Sequence, residues 1–138
     1  MAKEVAVQDR TDARRRILIV GAVLAATGVA SGAFGAHTLR NTLGVERLGW
    51  WNTAVQYQMW HAIGLVALAA APSARMGLPA ALLGLGTLFF SGSLYGMALF
   101  SARWLGPVTP VGGALMIAGW VVAAWRASRG TLHGGGSL

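Results

Sequence analysis

The chain has 138 residues and a formal net charge of +7, yet only 11% of it is charged and 55% is hydrophobic, against about 25% and roughly 45–50% in soluble domains. It contains no cysteine, which excludes disulfides, thiolate nucleophiles and cysteine-based metal or cluster sites. Uncharged runs cover Ile17–Leu39, Leu48–Ala74, Met76–Ala102 and Trp104–Trp125, each longer than the roughly 20 residues of helix that cross a bilayer core. Too little chain is left for a soluble core. The sequence therefore reads as one domain, residues 1–138: an all-α integral membrane protein with four transmembrane helices.

The basic excess does not point to nucleic acid, which is recognised by basic residues gathered on one folded face. Eight of the eleven Lys and Arg lie between Lys3 and Arg16, at Arg75, and at Arg126 and Arg129, while Arg40, Arg47 and Arg103 mark the opposite ends of the runs. That asymmetry places both termini in the cytoplasm by the positive-inside rule.

In chain order, residues 1–13 (MAKEVAVQDRTDA) form a polar extension, expected to be mobile or a short interfacial helix. The RRRILIV that follows resembles the start of a signal peptide. However, the apolar run from Ile17 exceeds the roughly 7–15 residues of an h-region, and three more runs follow. A retained first helix is expected. Within it Gly21, Ala25, Gly28, Gly32 and Gly35 recur every three or four residues and so share one face. Helices in lipid associate by close backbone approach, which small residues permit. Gly92 and Gly96 repeat the pattern in the third span. These glycines are expected to form a packing seam inside the bundle, in preference to a dimerisation motif.

The second span opens at Trp50 and Trp51, aromatic residues suited to the headgroup level. Pro72 and Pro79 flank a tight turn, Pro72 ending one helix and Pro79 sitting in the first turn of the next. Thr109 is placed to cap the fourth span, with Pro110 at its first helical position. The tail, residues 127–138, is Gly-rich and expected to be disordered. Short connections favour an up-down antiparallel bundle.

The chemistry-bearing residues are few. All four acids (Glu4, Asp9, Asp12, Glu46) lie outside the spans, so no triad and no acid-driven proton pathway is supplied. His37 and His61 differ by about 12 Å in depth at helical rise, too much for two axial haem ligands, and no third intramembrane ligand completes a metal site. HGGG at residues 133–136 has no G-x-S-x-G elbow to accompany it. No catalytic, cofactor or metal residue is assigned. Counted inward from the span ends, Gln58 and His61 match Tyr95 and Ser91 in depth. This predicts a polar layer in which Gln58 pairs with Tyr95 and His61 with Ser91, while Gln56 points to another side.

GAFGAHTL, GWWNTAVQYQMWHAIGL, FSGSLY and TPVGGALMIAGW, in this order and spacing, resemble the YgdD-like family of small four-helix membrane proteins, whose vertebrate members are the transmembrane protein 256 group. The resemblance runs from about Gly28 to Trp120. Its motif positions are Gly32, Gly35, His37, Gln58, His61, Ser91, Ser93, Tyr95, Thr109, Pro110 and Gly112. It implies a bacterial inner-membrane location and no reaction, and the extension before Arg14 is longer than the family's usual start. The expected function is that of a non-enzymatic structural or accessory membrane protein. Its partners would be the lipid bilayer and a membrane-protein partner or second copy, with no nucleic acid and no cofactor. The alternative is a carrier or channel for a small solute lined by Gln56, Gln58, His61, Ser91, Ser93 and Tyr95. A third reading is a lipid or quinone binder at the Trp-rich outer end.

Overall fold

The computed structural model describes residues 1–71 and 76–131. The Pro72 helix stop, Arg75 and the HGGG stretch lie outside the described residues. Four α-helices follow one another: α1 (Ala2–His37), α2 (Val45–Ala70), α3 (Gly77–Phe100) and α4 (Val108–Thr131), with short 3₁₀ turns at Leu39–Asn41 and Arg103–Leu105. No strand occurs among the described residues. Three of the helices, α1, α3 and α4, are long and apolar enough to cross a membrane. At 26 residues α2 has the length but not the apolarity, because Asn52, Thr53, Gln56, Gln58 and His61 occupy its first two thirds.

The polar N-terminal extension corrects one expectation. Residues 2–16 contain no glycine or proline, the two residues least favourable in a helix interior, and they continue the first span as a single helix of 36 residues. At about 1.5 Å per residue this rod is roughly 54 Å long. The other end of the chain differs too: residues 127–131, expected to begin the disordered tail, are the last residues of α4. Thr109 is not a cap; it falls within the first turn of α4, and its hydroxyl meets Ser93 at 2.7 Å.

The helices pack in series, α1 on α2, α2 on α3 and α3 on α4, with a lighter touch between α1 and α3. Among the described residues α1 and α4 share no substantial contact. The assembly is an open arc, not a closed ring. Opposed positions run in reverse order along the two outer pairs: Gly21, Gly28 and Gly35 of α1 face Leu65, Met59 and Trp51 of α2, and Gly86 and Gly119 face Met116 and Leu83 across α3 and α4. One core cluster joins Leu65, Leu68, Met76, Ala80, Leu83, Met116 and Ala123. Another, near the opposite end, gathers Leu39, Trp51 and Ala98.

Trp51 is buried, because Gly35 leaves room for its indole. Its Nε1 donates to the Ser31 carbonyl at 3.0 Å, and its ring packs 4.5 Å from that of Tyr95.

Polar clasps close the ends. The Arg14 guanidinium donates to the Ala71 carbonyl at 2.8 Å, placing a cation on the exposed carbonyls at the end of α2. At the other end Arg47 donates to the Ser101 hydroxyl at 2.8 Å, beside an exposed Arg103–Glu46 pair at 3.7 Å. Ser101 ends α3 in the left-handed region, with φ 56°, a conformation usually taken by glycine at this position.

The glycine seam is real in α1 but misplaced in α3. Gly21, Gly28 and Gly35 are the buried residues of α1, seven apart, and each is in close contact with α2. Gly32 is looser, with Val55 at ordinary contact distance from a Cβ placed there. Gly92 has nothing within 4 Å, and Gly96 faces the flexible end of Leu105. The tight contacts of α3 are with α4: a Cβ on Gly112 would meet the backbone of Phe90 and Gly86, and one on Gly86 would lie 2.9 Å from the Gly112 carbonyl. Backbone cannot move aside as a side chain can. Gly112→Ala should therefore destabilise the protein by about 1–3 kcal/mol, the range for overpacking a core, whereas Gly92→Ala should leave its stability within about 0.5 kcal/mol. Thermal unfolding of both variants in one detergent checks the contrast.

Candidate functional site

The polar interior centres on Gln58, whose side chain is buried and joins three helices. Its Nε2 donates to the Leu24 carbonyl and to the Thr27 hydroxyl of α1, both at 2.9 Å. Its Oε1 accepts the Tyr95 hydroxyl of α3 at 2.8 Å. The amide orientation follows from chemistry: a carbonyl only accepts, so the nitrogen must face Leu24. Thr27 passes its own proton to the Val23 carbonyl at 2.8 Å or the Leu24 carbonyl at 3.1 Å, and the Ser31 carbonyl accepts from Trp51 Nε1. The chain of bonds thus runs from α1 through α2 to α3.

The expected His61–Ser91 bond is not made. Ser91 donates to the Ala54 carbonyl of α2 at 2.9 Å, and His61 Nδ1 lies 2.8 Å from the Tyr57 carbonyl one turn back on its own helix. Since that carbonyl can only accept, Nδ1 carries the proton. Residue counting put the pair at one depth, but Ser91 meets α2 at Ala54, seven residues before His61. His61 is turned toward α4, where its ring lies 6.2 Å from Trp120. Gly64, one turn along, is the position that admits the Trp120 indole. The four candidates therefore divide: Gln58 and Tyr95 bond to each other, Ser91 fastens α3 to the α2 backbone, and His61 belongs to another interface.

The remaining polar residues disperse as well. Ser93 meets Thr109 of α4, Thr87 donates to its own helix at Leu83, and Gln56 is exposed on a different side of α2. His37 is exposed at the end of α1. Among the described residues no three His, Cys, Asp or Glu side chains are grouped as metal ligands would be. Sequence reasoning missed Thr27 and Ser31. Thr27 stands on the glycine-bearing helix, one residue before Gly28, and a hydroxyl beside a seam glycine was the available signal.

Between α1 and α3, over the Gln58 side chain, lies a cleft of about 250 Å³, lined chiefly by Thr27, Ser31, Gln58, Thr87, Ser91 and Tyr95, with Leu24, Leu88 and Gly92 completing its walls. It is open, because α1 and α3 touch only lightly.

Residues 31–113, which hold this network except for Leu24 and Thr27, match the family described as a protein of unknown function, DUF423. The chain belongs to that family. A UPF0382 membrane protein of Staphylococcus haemolyticus is 44% identical over 108 residues, covering 76% of this chain and 88% of the relative. The UPF0382 inner membrane protein YgdD of Escherichia coli is 42% identical over 112 residues, covering 78% of this chain and 86% of its own length. No solved structure matches. A DUF423 chain is thus an all-helical integral membrane protein without an assigned reaction, as the motif resemblance implied.

The geometry of the Gln58 network sets its energetics. Interhelical hydrogen bonds in membranes contribute about 0.6–2 kcal/mol each. Tyr95→Phe removes one bond to Gln58 and should cost about 0.6–1 kcal/mol, while Gln58→Leu removes three and should cost about 2 kcal/mol or more. The double variant should be little worse than Gln58→Leu alone, since the Tyr95 bond is already lost with it. A double-mutant cycle by thermal unfolding reads this coupling.

Proposed function

We propose that this DUF423 protein is a non-enzymatic structural or accessory membrane protein, an up-down antiparallel bundle of four spans with both termini on the cytoplasmic side of a bacterial inner membrane. The observation that carries the reading is the use of the interior polar groups: the Gln58 amide, the Tyr95 hydroxyl and the Ser91 hydroxyl are committed to neighbouring helices. Groups so engaged stabilise register and are not free to pass protons or ligands.

The fourth span follows from shielding. Although α2 is too polar to face lipid alone, it packs between α1 and α3, and Trp120 of α4 covers it at Gly64. Polar residues at membrane depth are tolerated where protein surrounds them. The reversed contact order along the α1–α2 and α3–α4 pairs supports the up-down arrangement. Arg14–Arg16 before the apolar part of α1, and Arg126 and Arg129 at the end of α4, support the orientation, because an Arg at the bilayer centre costs about 2.5–3.5 kcal/mol on insertion scales.

A carrier reading would need its polar residues along one path. Instead Ser93 faces Thr109, His61 faces Trp120 and Gln56 is exposed elsewhere.

Mild-detergent purification followed by mass spectrometry of the co-purifying proteins tests the accessory reading, which expects a partner or a second copy in fixed ratio. A strictly monomeric preparation that drives solute flux in proteoliposomes would overturn it. For topology, a green fluorescent protein fused after Leu138 should fluoresce and an alkaline phosphatase fused there should be inactive; the reverse pattern would place that end outside.

A further inference from the structure

We infer that the cleft between α1 and α3 is a binding site for an uncharged, membrane-dissolved alcohol, whose hydroxyl donates into a wall rich in free acceptors. The inference rests on the hydrogen-bond inventory of the cleft, and it stands apart from the accessory role proposed above.

All the side-chain donors lining the cleft except the Ser31 hydroxyl are already in use. Both protons of the Gln58 amide go to α1, and the Tyr95 proton goes to Gln58. Thr27 and Thr87 donate to carbonyls of their own helices, and Ser91 donates to Ala54. Only the Ser31 hydroxyl, whose backbone carbonyl accepts from Trp51, makes no side-chain hydrogen bond among the described residues. A hydroxyl has one proton and two lone pairs, so acceptor capacity remains on the other side chains and donor capacity does not. The wall therefore favours a donor. A quinone or an ester, whose carbonyls only accept, finds no donor here besides the Ser31 hydroxyl.

Depth and charge narrow the ligand further. Thr27 stands near the middle of the uncharged run Ile17–Leu39, about 15 Å from either end at helical rise. Phospholipid headgroups do not reach that level. No acid lies in any of the uncharged runs, so an ammonium would be buried without a counter-charge, which is costly. The occupant is then neutral, carries a hydroxyl and dissolves in hydrocarbon.

The shape agrees. The cleft of about 250 Å³ has the volume of roughly eight water molecules at about 30 Å³ each, and its rim includes Leu24, Leu88 and Gly92. Leu88 and Gly92 are exposed, at a depth where exposure means contact with lipid. Gly92 is the key position: a Cβ placed there meets nothing within 4 Å. It keeps the mouth open without serving the packing, which explains a small residue that the seam does not require.

The test uses the full chain in lipid nanodiscs and a long-chain primary alcohol bearing a diazirine, compared with its methyl ether, which has the same chain but no donor. Photolabelled residues are mapped by mass spectrometry. The alcohol should label the segment Thr87–Gly92 and the facing part of α1 at least tenfold more than the ether. An excess of the unlabelled alcohol should suppress this labelling, and an excess of the unlabelled ether should not. Gly92→Phe should abolish it with the melting temperature retained; the competition arm decides the matter without any variant. Equal labelling by alcohol and ether would overturn the donor requirement, and labelling spread over all lipid-facing helices would overturn the site. Water could supply the same donor chemistry from the aqueous phase. Radiolytic hydroxyl labelling of Tyr95 and Leu88, with no alcohol crosslink in the cleft, would assign the site to water and overturn the alcohol.

Discussion

A primary amide buried between helices has two donors and an acceptor to satisfy. Gln58 meets that constraint by reaching the α1 backbone and Thr27 on one side and Tyr95 on the other. Much of the packing is compatible with this and with little else. Gly28 lets α1 approach Met59 and Gln58 closely enough for the Leu24 carbonyl to be reached, and the indole of Trp51 fills the space left by Gly35 and backs the Tyr95 ring. Each unsatisfied polar group in hydrocarbon would cost several kcal/mol. The network therefore acts less by adding stability than by penalising every other register of α1 and α3 against α2.

The two outer interfaces are built differently. Glycines alone are buried on the α1 side of its contact with α2, and the opposing atoms are largely side chains, which can adjust. The α3–α4 contact brings backbone to backbone at Gly86 and Gly112, with the Ser93–Thr109 bond at one end. It is the closer and less forgiving of the two. Because α1 and α4 do not pair, the arc keeps one side open, and the polar cleft lies in the groove between its first and third helices.

Much of this was legible in the sequence, for identifiable reasons. Arg residues at alternate ends of long uncharged runs announce membrane helices, since charge in hydrocarbon is so costly. Counting residues from those ends brought Gln58 and Tyr95 to one depth, and they are hydrogen-bonded. Depth does not fix rotation, however. His61 and Ser91, counted to one level, face different neighbours, because each has a backbone carbonyl within reach and no need of the other. The same ambiguity misplaced the α3 seam: Gly92 and Gly96 lie at seam spacing, but the face turned to α4 carries Gly86. The helical extension before Arg14 was legible from the absence of Gly and Pro and was obscured by its polarity.

That extension changes what α1 is mechanically. A helix without a break from Ala2 to His37 behaves as one stiff rod, with about twenty ångströms of it, on the helical rise, beyond Arg14. Arg14 sits at its fulcrum, bonded to the end of α2. Any tilt of the buried part against α2 is converted into a sideways sweep of the N-terminal tip, in the opposite direction and of similar size. The position of Met1 thus reports the angle at which α1 leans on the Gln58 network.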